Sequence, residues 1–349
     1  MTNSPTEILS RVEAGVGYVT LNRPKALNSL NQNMIDGLAD VLSAWATDDS
    51  IKAVVLDGAG ERGLCAGGDV VAIYHSARGD GGQARKFWFD EYQMNALIGR
   101  YPKPYVALMD GIVMGGGVGV SAHGSVRVVT DTTKLAMPEV GIGFMPDVGG
   151  TYLLARSPGA LGLYAALTGS TFTGADAIAL GFADHFVPHD KLADFTADIA
   201  TADIATALSR HAVEPPASNL AAQQHWIDQC FGSAGDPKPL LDIMAGLRGH
   251  DAGPANDAAD VIAGRSPISV AVTREAIRRA AQHETLEQTL IQEYRVSCAS
   301  LRSHDLVEGI RAQLVDKDRN PKWSPASIAA ISDADVDAFF APADPDLSF

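Results

Sequence analysis

The sequence predicts an α/β protein built from successive βαβ units and followed by a mainly helical C-terminal region. Short apolar runs of strand length alternate with amphipathic helical segments as far as about residue 188, which is typical of parallel strands joined by right-handed crossovers. Beyond that point alanine-rich segments replace the strands. We therefore predict a core domain over residues 1–188 that carries the functional site, and a mainly helical region over residues 189–349.

The first elements are predicted from apolar periodicity. Residues 16–21 alternate like a half-buried strand, and Asn22, Arg23 and Pro24 end it. Ser29 precedes Gln32 by the spacing of a capping box and predicts the start of an amphipathic helix. A strand over residues 51–57, a glycine-rich loop over residues 58–69 and a helix over residues 85–100 are predicted next.

The most informative stretch lies between Tyr105 and Tyr152. A run of apolar residues with the length of a buried strand, 105–109, is followed by the glycine-rich segment 111–119. A helix that starts in these glycines leaves backbone N–H groups of its first turn without partners, and its dipole favours negative charge. The Lys-Ser/Thr ending of a phosphate-binding loop is absent. The stretch therefore indicates an oxyanion hole, in which glycine lets a ligand approach the main chain.

The remaining elements are predicted in the same way. Residues 126–130 and 134–137 are further strands, and residues 193–207 and 217–231 are helices. The segment 232–264, rich in Gly, Asp and Pro, is predicted as loop with one short helix. Helices resume from Ser266, and the charged tail over residues 316–323 is expected to end the folded part.

Composition and charge exclude several classes of function. The net charge of −15 argues against a nucleic-acid partner, and no apolar stretch approaches the ~20 residues of a membrane span. Three widely spaced cysteines, Cys65, Cys230 and Cys298, do not form a disulfide framework. No spacing of His, Cys and Asp indicates a metal. Residues 1–7 show no secretory signal or presequence, so a cytoplasmic protein is expected.

Four motifs, taken together and in this order, resemble those of the crotonase (enoyl-CoA hydratase/isomerase) superfamily. They are Arg-Pro-Lys-Ala-Leu-Asn at residues 23–28, Cys-Ala-Gly-Gly-Asp at 65–69, the Met-Gly-Gly-Gly turn at 114–117 and Met-Pro-Glu at 137–139. A finer resemblance, to the 3-hydroxyisobutyryl-CoA hydrolases, rests on segments 89–92, 103–108, 137–150 and 308–318. The likeness implies a crotonase-like spiral of ββα turns that acts on acyl-CoA thioesters.

The resemblance implies that the thioester oxygen binds between the backbone N–H groups of Gly68 and Gly116. Each such donor, placed where an oxyanion forms, is worth roughly 10²–10³ in rate. The alternative is that tight turns alone require both glycines. Two glycine loops in the order of the family favour the oxyanion hole.

Within the superfamily the side chains decide which reaction follows. Hydratases of the family resemble one another in carrying two glutamates. The second is present here as Glu139, but the first falls on Gly119, which has no side chain. The two-glutamate hydration mechanism therefore lacks a part.

The resemblance to the hydrolases instead assigns substrate-binding and catalytic roles to Glu91, Gly116, Glu139 and Asp147. Glu139 would attack the thioester carbonyl or activate water as a general base, and both roles stay open. Asp147 would orient the substrate hydroxyl or water, or pass a proton to the leaving thiolate. Glu91 would help to bind the acyl hydroxyl.

Several residues also have simpler explanations. Asp147 precedes a Val-Gly-Gly turn and can serve only as the cap of the following helix. Cys65 invites a nucleophilic role with His75 as its base, but a small buried packing residue is the better interpretation. His123, on an apolar helix, is expected to be a hydrogen-bonded core residue rather than a ligand.

The phosphates of CoA require local cations in so acidic a chain. The resemblance places Arg23, Lys25 and Ala66 at the CoA portion of the substrate. Further basic candidates, whose alternative is a solvated surface charge, lie in the C-terminal segment: Lys317, Arg319 and Lys322. CoA arrives as part of the substrate, so no separate cofactor is expected.

The residues and the resemblance together predict an acyl-CoA thioesterase that hydrolyses 3-hydroxyisobutyryl-CoA, a step of valine breakdown. One alternative is an enoyl-CoA hydratase or isomerase, since Glu139 alone can shuttle a proton. The other is a non-catalytic acyl-CoA-binding protein, which the intact Glu139, Asp147 and glycine loops disfavour. The expected partner is the acyl-CoA substrate, without nucleic acid or membrane, and the sequence is compatible with a homo-oligomer.

Overall fold

The computed structural model describes residues 6–349, and the chain divides into two compact units. The first unit comprises Met1–Gly68, Gln93–Leu135 and Phe172–Ser218. The second comprises Asp69–Tyr92, Ala136–Thr171 and Asn219–Phe349. The units are interleaved along the chain. The predicted division into a core domain and a helical region after residue 188 stays a prediction. The predicted lack of a targeting signal rests on residues 1–7, of which the first five lie outside the described residues.

Within residues 6–349 the strands form one six-stranded and one two-stranded sheet. Their bounds are β1 Ile8–Glu13, β2 Val16–Leu21, β3 Ala53–Gly58, β4 Tyr105–Met109, β5 Ile112–Met114, β6 Val126–Val129, β7 Lys134–Ala136 and β8 His185–Phe186. The large sheet has the order β1-β2-β3-β4-β6-β8, and β5 pairs with β7. β1 is antiparallel to β2, whereas the other neighbours in the large sheet are parallel. The predicted parallel arrangement is therefore confirmed.

Helices occur at intervals from Gln32 to Asp337. Their bounds are α1 Gln32–Thr47, α2 Val70–Ala77, α3 Gly82–Gly99, α4 Gly116–Gly119, α5 Gly150–Leu154, α6 Leu161–Thr168, α7 Gly174–Ala179, α8 Leu192–Thr201, α9 Ile204–His211, α10 Gln224–Phe231, α11 Leu240–Gly249, α12 Gly253–Ala263, α13 Pro267–Ala280, α14 Leu286–Ser300, α15 His304–Ile310 and α16 Asp333–Asp337.

The core of the first unit lies on the large sheet. Every residue of β4 is buried, as expected for a parallel strand that is covered on both faces and therefore apolar throughout. Val55, Val106 and Val128 from three neighbouring strands pack against Phe195 and Ile199 of α8. Burial of aromatic and branched side chains such as these supplies ~1.5–3 kcal/mol each and holds the strand ends in place.

The first helix begins later than predicted. Asn31 caps α1, since its side chain accepts a hydrogen bond of 2.9 Å from the Met34 N–H. The predicted Ser29 capping box is wrong, because the Ser29 hydroxyl donates instead to the Ala26 carbonyl at 2.7 Å. Leu27 and Asn28 adopt positive φ angles of 54° and 55°, so the chain is still turning where the helix was expected to start.

Two predictions for the C-terminal region are also wrong. The segment 232–264 forms two helices, α11 and α12, and their buried apolar residues recur at helical spacing despite the Gly and Asp between them. The chain also stays folded beyond Trp323, because Phe340 packs with Ile268 and Val296 in the core of the second unit. The apolar residues of the tail were too sparse to show periodicity in the sequence.

Two structural features of residues 6–349 bear on membrane and metal binding. None of the helices in this part of the chain has the length and apolarity needed to cross a membrane. The same residues contain no group of three or more His, Cys, Asp and Glu side chains suited to holding a metal ion.

Candidate active site

Three predicted acidic residues, Glu91, Glu139 and Asp147, come together in the second unit. Glu91 lies on α3, Glu139 opens the 3-10 turn Glu139–Ile142, and Asp147 lies in the loop before α5. They are only 2%, 6% and 5% exposed. Carboxyls are almost never buried without a reason such as pairing, so their clustering marks a functional site.

Burial and mutual repulsion change the acidity of these carboxyls. Burial raises the pKa of Glu139 well above its usual range, and the charge of Asp147 adds to the effect. For Glu91 the pKa is raised by burial first, then by the charges of Asp147 and Glu139. Burial raises the pKa of Asp147 to about 7, although a hydrogen bond from Tyr92 opposes the change. A carboxyl with such a pKa can take up or release a proton near neutral pH.

Asp147 is not the cap of the helix that follows it. Gly149 occupies the N-cap position of α5 and supplies no side-chain hydrogen bond. The backbone N–H groups of Gly149 and Thr151 instead donate to the carboxylate of Glu293, at 2.6 and 2.9 Å. The Asp147 side chain accepts a hydrogen bond of 2.7 Å from the Tyr92 hydroxyl. The simpler explanation of Asp147 is therefore wrong.

Two carboxyl oxygens in the cluster lack protein partners. Glu91 Oε1 and Glu139 Oε2 are buried, and no described residue forms a hydrogen bond with either. Because a buried polar atom without a partner costs ~1–3 kcal/mol, such atoms are expected where a ligand completes the hydrogen bonds. The cluster can thus bind a substrate that offers hydroxyl or water protons.

The two predicted oxyanion-hole glycines lie on adjacent segments of the first unit. The loop carrying Gly68 is joined to β5 by hydrogen bonds of 3.0 Å from Cys65 N–H to the Ile112 carbonyl and from Met114 N–H to the Cys65 carbonyl. Gly116 begins α4, directly after β5. The two glycines therefore belong to segments that are paired through the backbone, and their role as oxyanion donors stays a prediction.

Close approach of these segments explains one glycine of the turn. A Cβ atom on Gly117 would lie 2.4 Å from the Cys65 carbonyl oxygen, a distance that no side chain tolerates. Cys65 itself is buried, and its sulfur lies 3.4 Å from the Gly67 N–H that donates to it. This geometry supports the packing role of Cys65 rather than a nucleophilic one. Gly119 is buried in α4 and adds no carboxyl there.

The residues predicted to contact CoA differ in how they are engaged. Arg23 donates to the Ser29 carbonyl at 2.5 Å and pairs with Glu7 at 3.2 Å. Lys25 is exposed on the 3-10 turn Pro24–Ala26. Ala66 donates its N–H to the Leu27 carbonyl at 3.0 Å, which joins its loop to the segment of Lys25. The basic candidates of the C-terminal segment are all exposed: Lys317, Arg319 and Lys322.

Sequence reasoning missed three residues that surround Asp147. They are Tyr92, Glu293 and Ser297, all less than 1% exposed. The available signal was the position of polar Glu293 and Ser297, one turn apart, on the buried side of α14. Buried polar residues on an apolar helix face usually have a specific partner.

The fold and the site together define a member of a known family. The chain belongs to the enoyl-CoA hydratase/isomerase family, whose model matches residues 16–340. The predicted family and the crotonase-like fold are thereby confirmed. Family membership fixes the acyl-CoA class of chemistry, whereas the reaction depends on the side chains.

Individual relatives cover nearly the whole chain. A mitochondrial 3-hydroxyisobutyryl-CoA hydrolase from Danio rerio is 40% identical over 97% of this chain and 90% of its own. A solved structure described as a carnitinyl-CoA dehydratase from Mycobacterium thermoresistibile is 65% identical, with a TM-score of 0.95 and 98% of both chains covered. Another, described as an enoyl-CoA hydratase from Rhodobacter sphaeroides, is 37% identical, with a TM-score of 0.92 and coverage of 98% of this chain and 100% of that one.

Proposed function

We propose that this protein hydrolyses 3-hydroxyisobutyryl-CoA to 3-hydroxyisobutyrate and CoA. The observation that carries the proposal is the buried cluster of Glu91, Glu139 and Asp147, which holds carboxyls beside one another while Gly119 offers none. The near full-length similarity to the Danio rerio 3-hydroxyisobutyryl-CoA hydrolase supports the same activity.

Each step of thioester hydrolysis has a candidate group in the chain. The N–H groups of Gly68 and Gly116 would stabilise the negative charge that develops on the thioester oxygen. Glu139 would attack the carbonyl carbon directly, to give an anhydride that water then hydrolyses, or would remove a proton from a water molecule that attacks the carbonyl carbon. As the C–S bond breaks, the CoA thiolate takes a proton, which Asp147 can supply because its pKa lies near 7. Glu91, with its unpartnered Oε1, would accept a hydrogen bond from the acyl hydroxyl.

The second candidate is dehydration or hydration of an acyl-CoA. It is favoured by the descriptions of the two solved structures, a dehydratase and a hydratase. Such a lyase must move a proton at Cα and a hydroxyl at Cβ, and the family resemblance places two glutamates there. Gly119 occupies the position of one of these glutamates in this chain. The lyase reaction would therefore have to rely on Glu139 with a carboxyl from another segment.

The test measures thioester hydrolysis separately from hydration or dehydration in one preparation of the protein. Purified protein is incubated with 3-hydroxyisobutyryl-CoA, crotonyl-CoA and carnitinyl-CoA, while free thiol and enoyl absorbance are recorded independently. We expect thiol release from 3-hydroxyisobutyryl-CoA to exceed any change in enoyl absorbance by orders of magnitude. Hydration or dehydration at a comparable or greater rate would replace the hydrolase assignment with a lyase.

We also propose that the reaction needs no separate cofactor, because every step above uses carboxyls and backbone N–H groups of the chain. Dialysis against EDTA is expected to leave kcat unchanged. A loss of activity that is restored by a divalent cation would contradict this proposal.

A further inference from the structure

A chain of hydroxyl groups extends from the Asp147 carboxyl to the backbone of α14. Tyr92 Oη lies 2.7 Å from Asp147 Oδ2 and 2.7 Å from Ser297 Oγ. Ser297 Oγ lies 2.8 Å from the backbone carbonyl of Glu293. Tyr92 and Ser297 are fully buried and Asp147 is nearly so, so bulk water does not compete for these contacts.

The number of protons in the chain depends on the state of Asp147. Tyr92 and Ser297 bring one hydroxyl proton each, and three contacts need one proton apiece. When Asp147 is ionised, Tyr92 must donate to it, and the Ser297 proton alone serves the contacts to Tyr92 and to the Glu293 carbonyl. When Asp147 is protonated, it can donate to Tyr92, which donates to Ser297, which donates to the carbonyl. Every contact then holds one proton.

We propose that Tyr92 and Ser297 are positioning residues that reverse their donor direction with the protonation of Asp147, so that this carboxyl stays hydrogen-bonded in both states. The inference rests on the proposed function, in which Asp147 handles a proton. A buried acid that exchanges a proton would otherwise lose a hydrogen bond in one of its two states, and the chain prevents that loss.

Glu293 holds the backbone beside Asp147 in place and so fixes the position from which the Asp147 side chain extends. Val148 and Gly149 both have positive φ angles, 55° and 77°, a costly conformation for a β-branched residue such as Val148. The Glu293 carboxylate accepts hydrogen bonds from Gly149 N–H at 2.6 Å and from the Thr151 hydroxyl at 2.5 Å. Glu293 and Ser297 lie one turn apart on α14, which thus supports both the turn and the hydroxyl chain.

The other titratable groups around Asp147 are all acids. Glu91 and Tyr92 interact with it from α3, Glu139 from its 3-10 turn and Glu293 from α14, and its charge raises the pKa of each. None of these four groups is a cation that could hold Asp147 ionised. The ionised form is stabilised by the Tyr92 hydroxyl and by a backbone hydrogen bond at Asp147. Of these two contacts, the hydroxyl chain is the one that can reverse its direction when Asp147 takes up a proton.

The test is a titration of the Asp147 carboxyl in the resting protein. Protein labelled with ¹³C at the aspartate carboxyls is titrated by NMR, and the Asp147 resonance is identified as the one lost in Asp147→Asn. Tyr92→Phe removes the donor to the ionised form, so the midpoint should rise by about one pH unit. Ser297→Ala removes the acceptor that the protonated form requires, so the midpoint should fall.

Matched controls separate the chain from loss of a buried hydroxyl in general. Ser300 also lies on α14, is buried, and donates to the carbonyl four residues earlier at 2.8 Å, so Ser300→Ala should leave the midpoint unchanged. Tyr105 is a buried tyrosine that donates to the Val120 carbonyl at 2.9 Å, and Tyr105→Phe is the control for Tyr92→Phe.

Opposite displacements of the midpoint by Tyr92→Phe and Ser297→Ala support the proposal, whereas displacements in the same direction, or none, overturn it. If Tyr92→Phe does not fold, Ser297→Ala decides alone, since an unchanged or raised midpoint contradicts the reversal. The titration needs no turnover. Failure of the wild-type protein to release thiol would therefore overturn the proposed function and leave this result intact.

Discussion

The charge of Asp147 raises the pKa of the Glu139 carboxyl, which burial has already raised well above its usual range. Two buried carboxyls that repel each other in this way do not both ionise readily, so the pair retains a proton near neutral pH. One carboxyl can then act as base or nucleophile while the other holds a proton to donate. Hydrolysis of a thioester requires both a base or nucleophile and a proton donor.

Replacing Glu139 by Gln should abolish most of the thioesterase activity. The change keeps the size of the side chain but removes its basicity and nucleophilicity, so kcat should fall by at least ~10²–10⁴. The loss should be larger if Glu139 forms a covalent anhydride. Thiol release under substrate saturation measures the effect, with Glu284→Gln, at an exposed position, as the control. Near-normal turnover in a folded Glu139→Gln protein would contradict the proposed role of Glu139 as base or nucleophile.

Replacing Asp147 by Asn should affect both rate and selectivity. A carboxyl that protonates the leaving thiolate contributes to the rate with every acyl thioester, whereas one that orients the substrate hydroxyl contributes more to 3-hydroxyacyl than to plain acyl thioesters. We therefore expect kcat/KM to fall for 3-hydroxyisobutyryl-CoA and the preference over isobutyryl-CoA to weaken. The two substrates are compared by thiol release in the variant and the wild type. Unchanged rate and unchanged preference would remove Asp147 from the catalytic groups.

Local patterns were sufficient to predict much of the fold. The helix expected over residues 85–100 is observed at Gly82–Gly99, and the strand expected over residues 105–109 is β4 itself. Both segments are long or uniformly apolar, so their periodicity is unambiguous. The start of α1 was harder to predict, because Ser29 and Asn31 are both good capping residues and only the turn at Leu27 and Asn28 decides between them.

The surroundings of the site could not be derived from local patterns. The Tyr92 and Ser297 hydroxyls form a hydrogen bond although the residues are 205 positions apart. Glu293 accepts a hydrogen bond from Gly149, which lies 144 positions before it. No spacing rule connects such residues, since their meeting depends on tertiary packing. The acidic residues themselves were found because short motifs of a known family mark Glu91, Glu139 and Asp147.

Replacing Lys25 by Ala should weaken substrate binding without slowing the chemistry. Lys25 is exposed in a chain of net charge −15, and the CoA phosphates do not change during the reaction. We expect KM to rise by roughly two- to fivefold, as for loss of one exposed ion pair, with kcat nearly constant and a smaller effect at high salt. Lys52→Ala, at another exposed position, is the control. An unchanged KM would exclude Lys25 from the CoA contact.

The buried acids predict that stability decreases from acid to neutral pH. Burial raises the pKa of Asp147 to about 7 and that of Glu293 to about 8, whereas both groups titrate near ~4 in an unfolded chain. Across this window the folded state binds more protons than the unfolded state. The free energy of unfolding that these groups contribute is therefore fully present below about pH 4 and is lost as pH rises through their folded pKa values.

Asp147→Asn removes one of these titrating groups with little change in shape. The variant should therefore show a shallower decrease in the free energy of unfolding between pH 5 and 8 than the wild type, as measured by urea unfolding at several pH values. Asp49→Asn, at an exposed position, should follow the wild-type curve. Parallel curves for Asp147→Asn and the wild type would show that Asp147 titrates alike in the folded and unfolded states. Its environment would then not hold the proton that the proposed mechanism requires.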